Sequence, residues 1–247
     1  MIVNHTYQFI FVKTEKTAGT SLEIALSKFC GPDDIITPIT SFDEDKRKAL
    51  GFRSAQNYIG IEPLTQGTIK ERLKALRRCL RKRSAPLKFW NHMSAQEIRQ
   101  RVGDNIWNRY YKFTIVRNPY DRVISLYYWQ NRHATDPELN LTKYIKNRCG
   151  QIQKNWPIIS INDNFALDDF VKYEDLENHL DIISREIGLP DNIFNTMKDV
   201  QAKSQFRPKN GLKKEDLNEE QKLLIYLLCR PEFICFDYES DLQTTNI

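Results

Sequence analysis

Nine consecutive residues, Lys13-Thr14-Glu15-Lys16-Thr17-Ala18-Gly19-Thr20-Ser21, bring two lysines, four hydroxyls and a glycine together. Such a set suits anion binding. Ala18 and Gly19 are small enough for a phosphate to approach the backbone. Thr17, Thr20 and Ser21 offer hydroxyl donors, and Lys16 offers a full positive charge. If a helix starts at this point, its first N–H groups and the positive end of its dipole add to the attraction. A polar loop with ordinary capping residues is the alternative reading. The pattern is not a Walker A loop, which needs GxxxxGK[ST]; here one glycine follows the lysine, which weighs against a nucleoside triphosphatase and a dedicated Mg²⁺ site. A second concentration is Arg117 with Ser125. The arginine offers a planar fork suited to phosphate. Its alternative role is a salt bridge, with Asp121 as partner.

Both sets need elements to position them, and the pattern supplies these. Residues 7–12 (YQFIFV) read as a buried strand. Residues 21–30 carry Leu22, Leu26 and Phe29 at helical spacing and stop at Gly31-Pro32. The anion loop therefore lies between a strand and a helix. Residues 112–116 (KFTIV) read as a second strand that ends at Arg117, with Asn118 as cap and Pro119 in the first turn of the next helix. Ligands of open parallel sheets bind beside such strand ends. Residues 170–173 (FVKY) read as a third strand and 176–188 as a helix with Leu180, Ile183 and Ile187 inward. Helices are also expected over 94–102, with Ser94 and Glu97 as a capping box, and over 218–229, with Gln221 closing another. Residues 43–66 give no clear pattern. Strands alternating with helices predict an α/β fold: one central, mainly parallel sheet flanked by helices on both faces.

Composition sets the frame. A chain of 247 residues with 40% hydrophobic and 11% aromatic content suits one α/β domain spanning 1–247 rather than a disordered chain. The longest near-unbroken apolar run, residues 223–229, is far short of the roughly 20 needed for a membrane-spanning helix. No signal peptide is read at the N-terminus. Five scattered cysteines without a CxxC pair suggest free thiols in a reducing cytoplasm. The net charge of +5 is uneven. Residues 70–88 hold nine basic residues and one acid, a net +8, whereas the remaining 28 basic and 31 acidic residues sum to −3. From residue 69 the apolar positions Ile69, Leu73, Leu76 and Leu80 form a narrow helical stripe. This basic helix either guides an acidic acceptor or is a solvated face.

The segment FVKTEKTAGTSLE resembles the 5′-phosphosulfate loop of sulfotransferases that use 3′-phosphoadenosine 5′-phosphosulfate (PAPS), and FTIVRNPYDRVISLY resembles their 3′-phosphate motif. The carbohydrate sulfotransferase branch is most similar, with its PKTAGTS and VRNPxxRxxS patterns. FVKYEDL, residues 170–176, is similar to a stretch those enzymes carry after the 3′ motif. The family usually has proline where this chain has Glu15, and an acid beside a sulfonate site is electrostatically unfavourable unless it points away.

The resemblance implies a P-loop-NTPase-like sulfotransferase fold and a PAPS-dependent enzyme that needs no metal. The enzyme would transfer a sulfonate in line to a hydroxyl, with a carbohydrate as the expected acceptor and no nucleic-acid partner. Lys16 would contact the bridging oxygen, with residues Thr17, Ala18, Gly19, Thr20 and Ser21 around the 5′-phosphate. Arg117 and Ser125 would hold the 3′-phosphate, and Tyr173 would lie near the adenine. His92, between the two motifs, matches the base of the uronyl 2-O-sulfotransferases; a structural histidine, or Glu23 or Glu62 as base, are the alternatives. Related enzymes close a basic loop over the nucleotide near residues 203–211, where Arg207 and Lys209 are candidates. A P-loop-like ATP-dependent kinase, or a nucleotide binder without turnover, is the competing reading.

Overall fold

A computed structural model describes residues 1–65, 68–82, 86–132, 140–200 and 211–242. It begins with two short strands, β1 (Ile2–Asn4) and β2 (Phe9–Phe11), paired antiparallel with Ile2 opposite Phe11. Then come α1 (Gly19–Ser27), β3 (Ile35–Ile36), α2 (Ser41–Ala49), α3 (Glu62–Thr65), α4 (Ile69–Lys82), α5 (Ala95–Val102) and α6 (Asp104–Arg109). β4 (Tyr111–Val116) leads into α7 (Pro119–Gln130), followed by α8 (Leu141–Asn147), α9 (Cys149–Ile152) and α10 (Asn155–Ile159). A small hairpin, β5 (Ser160–Ile161) and β6 (Asn164–Phe165), precedes β7 (Asp169–Lys172), α11 (Leu176–Glu186), α12 (Ile193–Lys198) and α13 (Glu219–Cys235).

The central sheet has the order β3-β1-β2-β4-β7. β2, β4 and β7 pair in parallel, while β1 runs antiparallel to both its neighbours. Only β1 is therefore reversed, and the sheet is mostly parallel. This reversed strand and the two-residue β3 are additions to the predicted elements, being too short to carry a period. The uninterrupted apolar run of β2 is explained by burial on both sides. Phe9, Phe11, Phe113, Ile115 and Val171 pack with Leu22, Ala25 and Leu26 of α1 and with Leu180 and Ile183 of α11. Ile10, Val12 and Val116 pack on the opposite face with Phe89, Met93, Ile98 and Trp107.

The expected helix starts are present. The Glu97 N–H donates to Ser94 Oγ at 3.3 Å while the Glu97 carboxylate accepts the Ser94 N–H at 3.2 Å. Asn118 caps α7 ahead of Pro119, and Asn218 with Gln221 caps α13. α13 runs past the expected residue 229 to Cys235, with non-helical backbone at Cys229 two residues before Pro231. β7 stops at Lys172, so Tyr173 opens the following turn instead of ending the strand. The stretch over 43–66, without pattern in the sequence, holds most of α2, capped by Thr40, and α3. The stripe of α4 forms as expected, but its aliphatic residues face solvent. Among the described residues no helix is long and apolar enough to cross a membrane.

A third core cluster joins α7, α8 and α13. At its edge the Arg122 guanidinium, 1% exposed, donates to Glu232 at 2.8 Å and to the Ile152 carbonyl at 2.9 Å. Removing one member of such a pair strands a buried charge, which costs about 3–5 kcal/mol, whereas exchanging both for apolar groups is often neutral. Arg122→Met should therefore lower the unfolding free energy by that amount, read as a lower urea midpoint at unchanged m-value, and Arg122→Met/Glu232→Leu should recover most of it. A double variant no better than the single one would show that lost packing, not unpaired charge, sets the cost.

Candidate active site

Because β2 and β4 are adjacent and parallel, the loops leaving their carboxyl ends lie side by side. The first loop, residues 13–18, enters α1. Lys16 and Ala18 both have positive φ, 63° and 62°. L-residues seldom adopt this conformation, and here it turns the chain sharply into the helix. Ala18 is the N-cap of α1 and gives it no side-chain cap bond, in contrast to Ser94, Asn118 and Asn218 at their helices. The first turn of α1 thus keeps N–H groups and dipole available to an anion. Gly19 is required by a close approach: a Cβ there would lie 2.9 Å from Cγ of Lys13. The glycine accommodates the lysine stem, a different constraint from the phosphate approach expected from the sequence.

Lys13 is buried and donates to Glu23 at 2.7 Å. Glu23 also accepts from the Met1 amino group at 3.0 Å and has Arg47 at 3.7 Å, all at 0% exposure. Burial alone would raise the Glu23 pKa, but Lys13, the amino group and Arg47 outweigh it and hold the carboxyl at about 2. Glu23 is therefore a structural anion, which corrects its candidacy as a general base. Glu62 opens α3.

The second loop starts at Arg117. Its guanidinium lies 4.3 Å over the Tyr173 ring, and Nη1 reaches the Lys16 carbonyl at 3.5 Å. Among the described residues its Nε is buried without a hydrogen-bond partner, as is Nε of Arg122. The Asn118 N–H donates to Glu174 at 2.8 Å, and the Tyr238 hydroxyl donates to the same carboxylate at 2.9 Å, which ties this loop to the turn after β7. Ser125, on the second turn of α7, faces the same space, with Trp129 four residues on; the Lys16 ammonium lies 5.2 Å over the Trp129 ring.

His92 also has positive φ, 58°. Its Nδ1 lies 3.1 Å from the Lys13 carbonyl. A carbonyl can only accept, so Nδ1 carries the proton and Nε2 keeps its lone pair. Burial first, then the charge on Lys13, push its pKa down to about 3. The imidazole is neutral at physiological pH.

These groups surround a cleft of about 670 Å³. Lys16, Ala18, Gly19, Thr20, Ser21, His92, Arg117, Ser125 and Tyr173 all line it. Thr17 does not: it is buried, 2.9 Å from the Thr14 hydroxyl, which itself donates to the Ile115 carbonyl at 2.6 Å. Sequence reasoning missed Thr40, Asn91, Trp129, Gln130 and Gln151. The i, i+4 step from Ser125 could have found Trp129; the others come from separate loops and helices and leave no local signal. Arg207 and Lys209 lie outside the described residues. Among the described residues no three His, Cys, Asp or Glu side chains converge in a way that could hold a metal ion.

Glu15 lines the same cleft with its charge paired. Its carboxylate pairs with Lys154, while Asn155 accepts the Glu15 N–H at 2.9 Å and donates to its carbonyl at 3.0 Å. The arrangement can hold one anionic group at the α1 N-terminus and another at Arg117, with a neutral base opposite.

The model of the family described as "Sulfotransferase family" matches residues 1–240. An uncharacterized protein of Archaeoglobus fulgidus is 29% identical over 104 residues, covering 41% of this chain and 87% of that protein. No solved structure matches the chain.

The Glu23 cluster has a pH signature. A carboxyl whose pKa falls from 4.5 to about 2 on folding stabilises the fold above pH 4.5, and that stability is lost as pH drops toward 2. Glu23→Gln should lower stability by about 3–5 kcal/mol at pH 7, because it leaves buried cations unpaired. Wild type and variant should converge in thermal midpoint as pH falls through that window; a constant gap would contradict the assignment.

Proposed function

We propose, from the premise that this chain belongs to the sulfotransferase family, that it moves a sulfonate group from PAPS to a hydroxyl of a carbohydrate acceptor by in-line displacement. The observation that carries this reading is Arg117: a guanidinium stacked on Tyr173 and lining the cleft beside the uncapped N-terminus of α1. Its planar fork of N–H donors suits the oxygens of a phosphate. Two anion positions in one cleft match a nucleotide phosphorylated at both its 5′ and 3′ ends.

PAPS supplies a sulfonate on a phosphate leaving group. Backbone N–H groups and the hydroxyls of Thr20 and Ser21 hold the 5′ end, Arg117 and Ser125 hold the 3′-phosphate, and Tyr173 lies alongside. Thr17 contributes through the loop's shape, since its own hydroxyl is engaged within the loop. Lys16 stands where negative charge develops as the S–O bond to the leaving phosphate breaks, so its effect is realised in the transition state. His92 Nε2 takes the proton of the acceptor hydroxyl as its oxygen bonds to sulfur. An imidazole with a pKa near 3 is a weak base in the free protein; anionic groups in the cleft would offset the neighbouring cations and raise it. The amides of Asn91, Gln130 and Gln151 and the ring of Trp129 suit a hydroxyl-rich acceptor. Five free cysteines accord with a reducing cytoplasmic setting.

Thermal unfolding with 3′-phosphoadenosine 5′-phosphate, ADP and AMP tests the donor site. At about 100 times its dissociation constant a ligand stabilises by roughly 2.7 kcal/mol. The 3′-phosphorylated nucleotide should stabilise far more than ADP, and Arg117→Ala should erase the difference. An equal response to ADP in wild type would favour a kinase.

His92→Asn keeps a donor toward the Lys13 carbonyl but removes the base. With PAPS and an active acceptor, kcat should fall by about 10²–10⁴-fold at little-changed KM for the donor. Turnover near wild type would remove His92 from the mechanism.

A further inference from the structure

Helix α4 presents an apolar stripe that stays 44–75% exposed among the described residues. Ile69, Leu73, Leu76 and Leu80 are 75, 47, 44 and 70% exposed, and Ile59 and Ile61 just ahead are 50 and 69% exposed. None of them belongs to the three core clusters. A surface helix normally turns such a stripe toward the core.

The charges are arranged as distinctly. The helix sequence IKERLKALRRCLRK holds seven basic residues and one acid. Lys70, Lys74, Arg77 and Arg81 are all exposed and form a second stripe about 100° around the helix from the aliphatic one. Arg72 flanks the aliphatic stripe on its other side, its Nε donating to the Leu64 carbonyl at 2.8 Å and joining α4 to α3. The whole excursion rises from a stem. Ile59 bridges Leu87, the Gly60 N–H donates to the Pro86 carbonyl at 3.2 Å, and Phe89, buried in the core, donates to the Tyr58 carbonyl at 3.0 Å. The arm is thus fixed at its base, three residues before His92, and projects its faces outward.

Three occupants can be weighed by charge and polarity. A second copy of the arm would bring a like charge against it. An acidic polymer would engage the cations but leave four aliphatic side chains in water. An anionic bilayer takes both: the aliphatic stripe enters the acyl boundary, while lysine and arginine stems lie along it with their charges among the headgroups. We propose that α4, with Ile59 and Ile61, is a peripheral membrane-binding arm that docks the protein on anionic lipid. This inference is independent of the reaction assigned to the cleft.

Vesicle co-sedimentation of the full chain tests it, with phosphatidylcholine alone against phosphatidylcholine carrying about 30 mol% phosphatidylglycerol. Wild type should bind the anionic vesicles at least about tenfold more tightly. Leu73→Ser/Leu76→Ser, with charge unchanged, and Arg77→Glu/Arg81→Glu should each lose about tenfold or more while keeping the wild-type thermal midpoint. Equal binding to both vesicle types, or to neither, overturns the proposal. So does a leucine variant that binds like wild type when charge reversal abolishes binding, since that result belongs to an acidic polymer or an acidic protein. A lowered thermal midpoint in the leucine variant would show that the stripe packs on the body. Sedimentation velocity showing a dimer that the leucine variant dissolves would assign the face to a second copy.

Discussion

The ion pair between Lys13 and Glu23 organises the rest of the site. Glu23 is a fully buried carboxylate on α1, and Lys13 is the second residue after β2. Their contact ties the strand end to the helix that must follow it. The lysine stem fills the space that Gly19 leaves open, so the helix enters close against the loop. The carbonyl of the same lysine accepts the His92 Nδ1 proton and thereby settles which imidazole nitrogen is basic. One residue thus sets the loop, the helix entry and the base. A buried pair of this kind contributes little net stability compared with an apolar core. Its weight lies in geometry: displacing either partner would strand a charge, so the loop is held in one arrangement despite positive φ at Lys16 and Ala18.

The two arginines of the second motif divide the work. Arg117 and Arg122 are five residues apart, on opposite sides of the start of α7. Arg122 turns inward and fastens α7 to α13 through Glu232. Arg117 turns toward the cleft, where stacking on Tyr173 positions it. The same residue type meets a buried carboxylate at one position and an aromatic ring beside the cleft at the other. The anchored helix then presents Ser125 and Trp129 to the cleft as rigid neighbours of Arg117.

The strand-loop-helix units around both motifs were legible because long apolar runs, Ser94, Asn118 and Asn218 mark them locally. β1 and β3 were not, since three and two residues carry no period and their pairing is a tertiary fact. Lys16, Ala18, Gly19, Thr20, Ser21, Arg117 and Ser125, which line the cleft, were legible because they belong to two strand–loop–helix segments with local signals, whereas His92 rested on the resemblance alone. Thr17 looked equivalent to Thr20, yet loop curvature turns one hydroxyl inward to Thr14 and leaves the other on the cleft. Asn91, Gln130 and Gln151 were invisible, because nothing in a sequence says that three separate segments share a wall. The stripe of α4 was read correctly as a helix, but periodicity does not say what a face meets.

Glu15 shows how a residue that looks unfavourable in sequence becomes compatible in structure. A proline at this place would restrict φ and offer no N–H. Glu15 does neither, so its backbone needs another restraint, and the side chain of Asn155 supplies one by bonding both its N–H and its carbonyl. The carboxylate needs a cation, and Lys154, the preceding residue, provides it. A single turn entering α10 therefore answers both demands at once. The negative charge beside the cleft is paired, and the loop remains fixed at the residue before Lys16. Lys16 is thus held from two directions: by the Lys13–Glu23 pair inside the core, and by the Lys154-Asn155 turn at the surface.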